Sequence, residues 1–178
     1  IVFSGVGKTS EEIKYAIDKK ILLINAESKS EILEIERLAR IKKKVVQVGI
    51  RLNPNTDAKT LKQISTGKKE NKFGVNNKTF IELVNHCKNS NHIDLKCLSV
   101  HIGSQILDHK PYKKMLDVVS KVISKTQYNF QYVDLGGGMG ISYDENKNNL
   151  NYKKYNSAIK KFLSLHKSKI IFEPGRSI

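Results

Sequence analysis

The sequence predicts an α/β protein built as a (β/α)8 TIM-type barrel, incomplete, with about six of the eight β/α units present. Three observations predict it. Short β-rich runs alternate with helical patterns along all 178 residues. Alternation of this kind calls for a parallel sheet with right-handed crossovers. Three of the strands then end in polar or glycine-rich motifs, and motifs on several successive strand ends fit a barrel mouth better than the single switch point of an open sheet.

The predicted strands are Ile1–Phe3, Ile21–Asn25, Val45–Leu52, Lys96–His101, Phe130–Leu135 and Lys169–Phe172. Between them lie helices with start signals. Thr9 followed by Glu12, and Ser28 followed by Glu31, read as capping boxes, in which a hydroxyl and a carboxylate satisfy free amides of the first turn. Ile32, Ile35, Leu38 and Ala39 repeat at helical spacing, as do Leu116, Val119 and Ile123. The stretch from residue 53 to 79 breaks the rhythm, and a connection that long in a compact domain points to a functional loop. The chain opens without a methionine on a strand and stops just after another, so both ends are expected to be cuts. A closed barrel needs eight strands, and about two are expected ahead of Ile1.

Composition narrows the function. The formal charge is +15, with 32 Lys and Arg against 17 Asp and Glu. The basic residues are scattered lysine pairs such as Lys68-Lys69, Lys113-Lys114 and Lys153-Lys154, with only Arg37, Arg40, Arg51 and Arg176 as arginines. That pattern reads as a solvated surface, not as a nucleic-acid footprint. No apolar run could span a membrane and the start lacks a signal-peptide pattern, so a cytoplasmic protein is expected. Cys87 falls in phase with Phe80, Leu83 and Val84, and Cys97 lies in an apolar run. Both read as small core residues, and no metal is expected.

Gly5-Val6-Gly7-Lys8-Thr9 looks like a nucleotide-binding loop but fails on spacing, since Val2 stands where that pattern needs a glycine. It reads as a strand-to-helix turn. The strand-end motifs carry more chemistry. Gly136-Gly137-Gly138 follows Tyr132-Val133-Asp134-Leu135 and could let consecutive amides close on an anion such as phosphate, or could simply be a tight turn. Glu173-Pro174-Gly175-Arg176 sets a carboxylate, a rigid residue, a glycine amide and a guanidinium in a row. Glu173 could equally be a buried ion-pair partner of Arg51. His101, in Ser99-Val100-His101-Ile102-Gly103-Ser104, could be a satisfied core histidine, but it shares the barrel mouth with the other motifs, and Ser104 could donate to an anion.

Together these residues supply an anion cradle, a planar ring for stacking and an isolated carboxylate, which are the three needs of pyridoxal 5'-phosphate. Ser104, Gly136 to Gly138 and the Gly175/Arg176 end would take the phosphate, and His101 would lie against the ring. Glu173 would keep the pyridine nitrogen protonated, and a pyridinium accepts the electrons released when a carbon–carboxylate bond breaks.

With Ile1-Val2-Phe3-Ser4-Gly5-Val6-Gly7-Lys8-Thr9, Ile64-Ser65-Thr66-Gly67 to Asn71-Lys72-Phe73-Gly74, His101-Ile102-Gly103-Ser104-Gln105, the glycine triplet and Glu173-Pro174-Gly175-Arg176, the chain resembles the fold-type III pyridoxal-phosphate decarboxylases of the alanine-racemase-like barrel class. Within that class it most resembles the diaminopimelate decarboxylase family, over essentially its whole length. The resemblance implies a carboxy-lyase that takes meso-2,6-diaminopimelate to L-lysine, the last step of lysine biosynthesis. Residues 1–178 would be part of its pyridoxal-binding barrel domain. It assigns cofactor contacts to His101, Ser104, Gly136, Gly137, Gly138, Glu173, Pro174, Gly175 and Arg176, with Arg176 also facing substrate and with Arg51 and Lys72 in supporting roles. It also implies a homodimer with shared active sites, and places the Schiff-base lysine before Ile1 and the catalytic cysteine, in a carboxy-terminal β-domain, after Ile178. The 178 residues alone are then expected to be inactive. One departure is Leu61-Lys62, where the family shows His-Pro. A related basic-amino-acid or polyamine-precursor decarboxylase, or a non-catalytic regulatory homologue, is the alternative reading. A racemase fits less well, because that branch sets an arginine where this chain has Glu173.

Overall fold

The computed structural model describes residues 1–57, 73–143 and 149–178. Six strands, β1 (Val2–Phe3), β2 (Leu23–Ala26), β3 (Val46–Arg51), β4 (Ile93–Ser99), β5 (Tyr132–Asp134) and β6 (Lys169–Ile171), alternate with five helices, α1 (Ser10–Asp18), α2 (Lys29–Ile41), α3 (Asn77–Lys88), α4 (His109–Thr126) and α5 (Tyr152–Leu165). The strands form one sheet in the order β1-β2-β3-β4-β5-β6, every neighbouring pair parallel. Sequential parallel neighbours joined by helices make five consecutive β/α units and a sixth strand of a (β/α) barrel, an arc that does not close.

The helices form where the sequence signals them. Thr9 caps α1 with the full reciprocal box to Glu12. Ser28 caps α2 by accepting from the Glu31 amide at 3.1 Å, but the return bond expected of a capping box is absent. The Glu31 carboxylate instead accepts from the Glu27 amide at 2.9 Å and from Lys8 Nζ at 2.7 Å. The charge-assisted bond to Lys8 holds one carboxylate oxygen and the Glu27 amide holds the other. Lys8 also donates to the carbonyls of Gly5 and Asn25 at 2.6 and 2.8 Å. The Gly5-Val6-Gly7-Lys8-Thr9 turn thus spends its lysine tying β1 to β2 and α2.

The core lies between the sheet and the helices. Ile32, Ile35, Leu38 and Ala39 of α2 are buried, as are Leu116, Val119 and Ile123 of α4. Each large side chain taken out of water stabilises the arc by about 1.5–3 kcal/mol. Cys87 and Cys97 are both buried free thiols, and burial raises the Cys87 thiol to about 12. Strand β4 begins at Ile93, earlier than predicted, because Ile93-Asp94-Leu95-Lys96 alternates buried with half-buried positions. No helix among the described residues is long and apolar enough to cross a membrane.

Candidate cofactor site

The carboxyl ends of the strands converge on a polar layer. In register, Arg51 pairs with Ser99 and Ser99 with Asp134, so three polar side chains stand side by side on neighbouring strands. All three residues are buried. Asp134 accepts from the Gly136 amide at 2.8 Å, from Asn25 Nδ2 at 2.8 Å and from the Ser99 hydroxyl at 3.3 Å. Burial, and then the nearby Glu173 carboxylate, still raise its carboxyl group to about 6. Asn25 reaches from β2 because Gly49 on β3 has no side chain; a Cβ there would sit 1.9 Å from Asn25 Oδ1.

Arg51 is not the partner of Glu173. Its guanidinium pairs with Glu27 at 2.7 Å and lies over the Phe73 ring at 5.2 Å. The Phe73-Gly74 turn comes back onto it, with the Val75 amide donating to the Arg51 carbonyl at 2.8 Å. Glu173 instead accepts from the Ser4 hydroxyl at 2.7 Å, from the opposite end of the arc.

His101 lies two residues beyond β4. The Gly137 amide donates to its Nδ1 at 3.2 Å. Burial, and then the Arg51 charge, lower the imidazole to about 4, so the ring is neutral at ordinary pH. The glycine run is a bend that only glycine can make. Gly136 and Gly138 have φ of +63° and +84°. A Cβ at Gly137 would lie 2.2 Å from the Glu173 carbonyl, and one at Gly138 would lie 2.0 Å from that of Gly103. The bend therefore draws the ends of β4 and β6 against β5. Tyr112 of α4, fully buried, donates to the Gly137 carbonyl at 3.3 Å and lies against Tyr155 with ring centroids 4.4 Å apart and planes tilted by 31°.

The site residues expected from sequence separate into groups. His101, Gly136, Gly137, Gly138 and Glu173 come together, with the Glu173 amide donating to the Gly136 carbonyl at 2.9 Å. Of the three glycine amides, those of Gly136 and Gly137 are occupied by Asp134 and His101; the Gly138 amide is the one with no acceptor among the described residues. Ser104 is half-buried. Pro174, Gly175 and Arg176 are exposed, and Arg176 donates to the Tyr143 hydroxyl at 2.9 Å. Lys72 and the Ile64-Ser65-Thr66-Gly67 motif lie outside the described residues. Sequence reading missed Ser4, Asn25, Asp134 and Tyr112. The signal available for Asn25 and Asp134 was a polar residue at the carboxyl end of an otherwise apolar strand.

These residues fit pyridoxal phosphate. Bare backbone at Gly138, packed against Gly103 just ahead of Ser104, suits an anion, and the neutral imidazole suits a stacked ring. Glu173 has one oxygen held by Ser4 and its other oxygen without a hydrogen bond among the described residues.

The whole chain, residues 1–178, matches the family described as "Pyridoxal-dependent decarboxylase, pyridoxal binding domain". It is 41% identical over 181 residues to a diaminopimelate decarboxylase of Helicobacter pylori, covering 100% of this chain and 44% of that protein. With the diaminopimelate decarboxylase of Campylobacter jejuni it shares 38% identity over 179 residues, 99% of this chain and 44% of that one. Among solved structures, the Helicobacter pylori diaminopimelate decarboxylase complexed with L-lysine superposes with a TM-score of 0.94 at 40% identity, over 99% of this chain and 45% of that chain. The chain thus spans less than half the length of the curated relatives it matches. With the full-length family match and with relatives of this identity along the whole sequence, the chain belongs to the pyridoxal-dependent decarboxylases, within their pyridoxal-binding domain.

Proposed function

We propose that these residues form the barrel part of the cofactor site of a diaminopimelate decarboxylase, which releases carbon dioxide from meso-2,6-diaminopimelate to give L-lysine. The observation that carries this reading is the meeting of Glu173, neutral His101 and the glycine bend at one barrel mouth. Its substrate assignment is supported by relatives of that name along the whole chain. The pyridoxal group, when bound, supplies an electron sink for the pair left by the breaking carbon–carboxylate bond. The protein residues set the conditions for it. Glu173 would hold a proton on the ring nitrogen through its second oxygen, His101 would stack as an uncharged ring, and Ser104 with the Gly138 amide and Gly175 would hold the phosphate, with Arg176 serving the phosphate region and the substrate. Arg51 and Lys72 would support the site.

The active species in this reading is a homodimer of the longer protein, in the cytoplasm, with the Schiff-base lysine and the catalytic cysteine outside residues 1–178. The protein at the length of its relatives should therefore release carbon dioxide and L-lysine from meso-diaminopimelate only when pyridoxal phosphate is added, whereas residues 1–178 alone should release neither. Preference for arginine or ornithine over diaminopimelate would overturn the substrate assignment. Turnover without the cofactor would overturn the site.

A further inference from the structure

A chain of hydrogen bonds crosses the open end of the arc. Asn25 Nδ2 donates to the Ser4 hydroxyl at 3.0 Å, and the Ser4 hydroxyl donates to Glu173 Oε1 at 2.7 Å. The second Nδ2 hydrogen of Asn25 goes to Asp134 at 2.8 Å. Asn25 is 1% exposed, and its Oδ1 lies against Gly49 with no partner among the described residues. Its amide orientation is fixed by this setting, because turning it over would point a carbonyl at the Asp134 carboxylate. The direction of every proton follows. An amide nitrogen can only donate, so Ser4 accepts from Asn25 and must spend its own hydrogen on Glu173. Glu173 therefore accepts at Oε1, with Oε2 left to face another donor.

We propose that Ser4, oriented by Asn25, is a positioning residue that fixes the Glu173 carboxylate toward the ring nitrogen of the cofactor. This rests on the ring-nitrogen role given to Glu173 above. Ser4 and Glu173 are 169 positions apart in sequence, and Ser4 follows a two-residue strand at the edge of the sheet. A carboxylate at the end of β6, half-buried and followed by the exposed Pro174 and Gly175, is free to rotate unless something on the far side holds it. A serine hydroxyl is the smallest group that does so without filling the space between.

The test uses the full-length holoenzyme. Ser4→Ala should lower kcat about tenfold with little change in substrate KM or cofactor Kd, because the carboxylate is present but no longer aimed. Ser4→Thr, which keeps the hydroxyl, should restore most of the loss. The decisive comparison is a double-mutant cycle: on a Glu173→Gln background, Ser4→Ala should cost almost nothing more, since Ser4 acts through Glu173. A readout independent of turnover is the 15N resonance of cofactor labelled at the ring nitrogen. It should stay at the protonated position in wild type up to about pH 9 and move toward the unprotonated position in Ser4→Ala. If Ser4→Ala does not fold, Ser4→Cys keeps the size, weakens the donor and carries the same comparisons. Additive losses in the cycle, or an unchanged 15N resonance, would make Ser4 a merely structural residue. Near-normal turnover and an unshifted nitrogen in Glu173→Gln itself would instead refute the role of Glu173.

Discussion

The backbone amide of Gly137 donates to Nδ1 of His101 at 3.2 Å, and that bond sets the imidazole as the neutral tautomer with its proton on Nε2. The His101 group is lowered from 6.5 to about 4, while Asp134, on the next strand, is raised from 3.8 to about 6. The two shifts have opposite consequences for stability. His101 contributes stability that is complete above about pH 6.5 and is lost as pH falls through its folded value. Asp134 contributes stability that is complete below about pH 3.8 and is lost as pH rises through its own. Each is worth about 3 kcal/mol, so within this window they largely cancel.

Removing either group should expose the other. Relative to wild type, His101→Asn should gain about 3 kcal/mol as pH falls from about 7 to about 4, and Asp134→Asn should gain a similar amount as pH rises over the same range. Urea unfolding at several pH values measures both. A difference profile that stays flat for either variant contradicts the assigned shift.

Glu173 and Ser104 should separate chemistry from cofactor retention in the full-length enzyme. Glu173→Gln should leave cofactor binding close to normal and slow turnover roughly a hundredfold, about 3 kcal/mol of transition-state stabilisation. Ser104→Ala should weaken cofactor retention with turnover largely preserved at saturating cofactor. Cofactor titration followed by rates at saturation checks both; loss of affinity alone in Glu173→Gln would remove it from the ring nitrogen.

The glycine bend should tolerate no side chain, whereas the exposed glycine further on should. Gly138→Ala needs a Cβ 2.0 Å from a backbone carbonyl at φ +84°, and neither the carbonyl nor the turn can give way cheaply. A loss above about 3 kcal/mol or outright failure to fold is expected. At Gly175 a Cβ meets nothing within 4 Å, so Gly175→Ala should stay within about 0.5 kcal/mol of wild type. Chemical unfolding of the two variants side by side decides the matter.

The Arg51–Glu27 pair, with side chains 10% and 3% exposed, should behave as a buried pair. Glu27→Ala alone leaves a guanidinium uncompensated and should cost about 3–5 kcal/mol. Arg51→Met with Glu27→Leu should cost much less than the two single changes added together. Additive losses would show that the two side chains do not depend on each other.

Local signals in the sequence determined the six strands, their alternation with helices and the ends on which chemistry collects. Apolar spacing at Ile32, Ile35, Leu38 and Ala39, the Thr9–Glu12 cap, and the glycines of residues 136–138 state their conformations within a few residues of chain, which is the range over which propensity and capping act. The motifs at His101, Gly136 to Gly138 and Glu173 were legible for the same reason. Competition between distant groups was not. Glu31 was legible as half of a capping box, but Lys8, 23 positions away, took its carboxylate. Arg51 was legible as a cation near Glu173, yet Glu27 is its partner. The join of Ser4 to Glu173 and the polar layer of Arg51, Ser99 and Asp134 exist only because parallel strands bring their ends into one register. Which acceptor a buried donor finds is settled by distance in the folded molecule, and neighbours along the chain do not carry that distance.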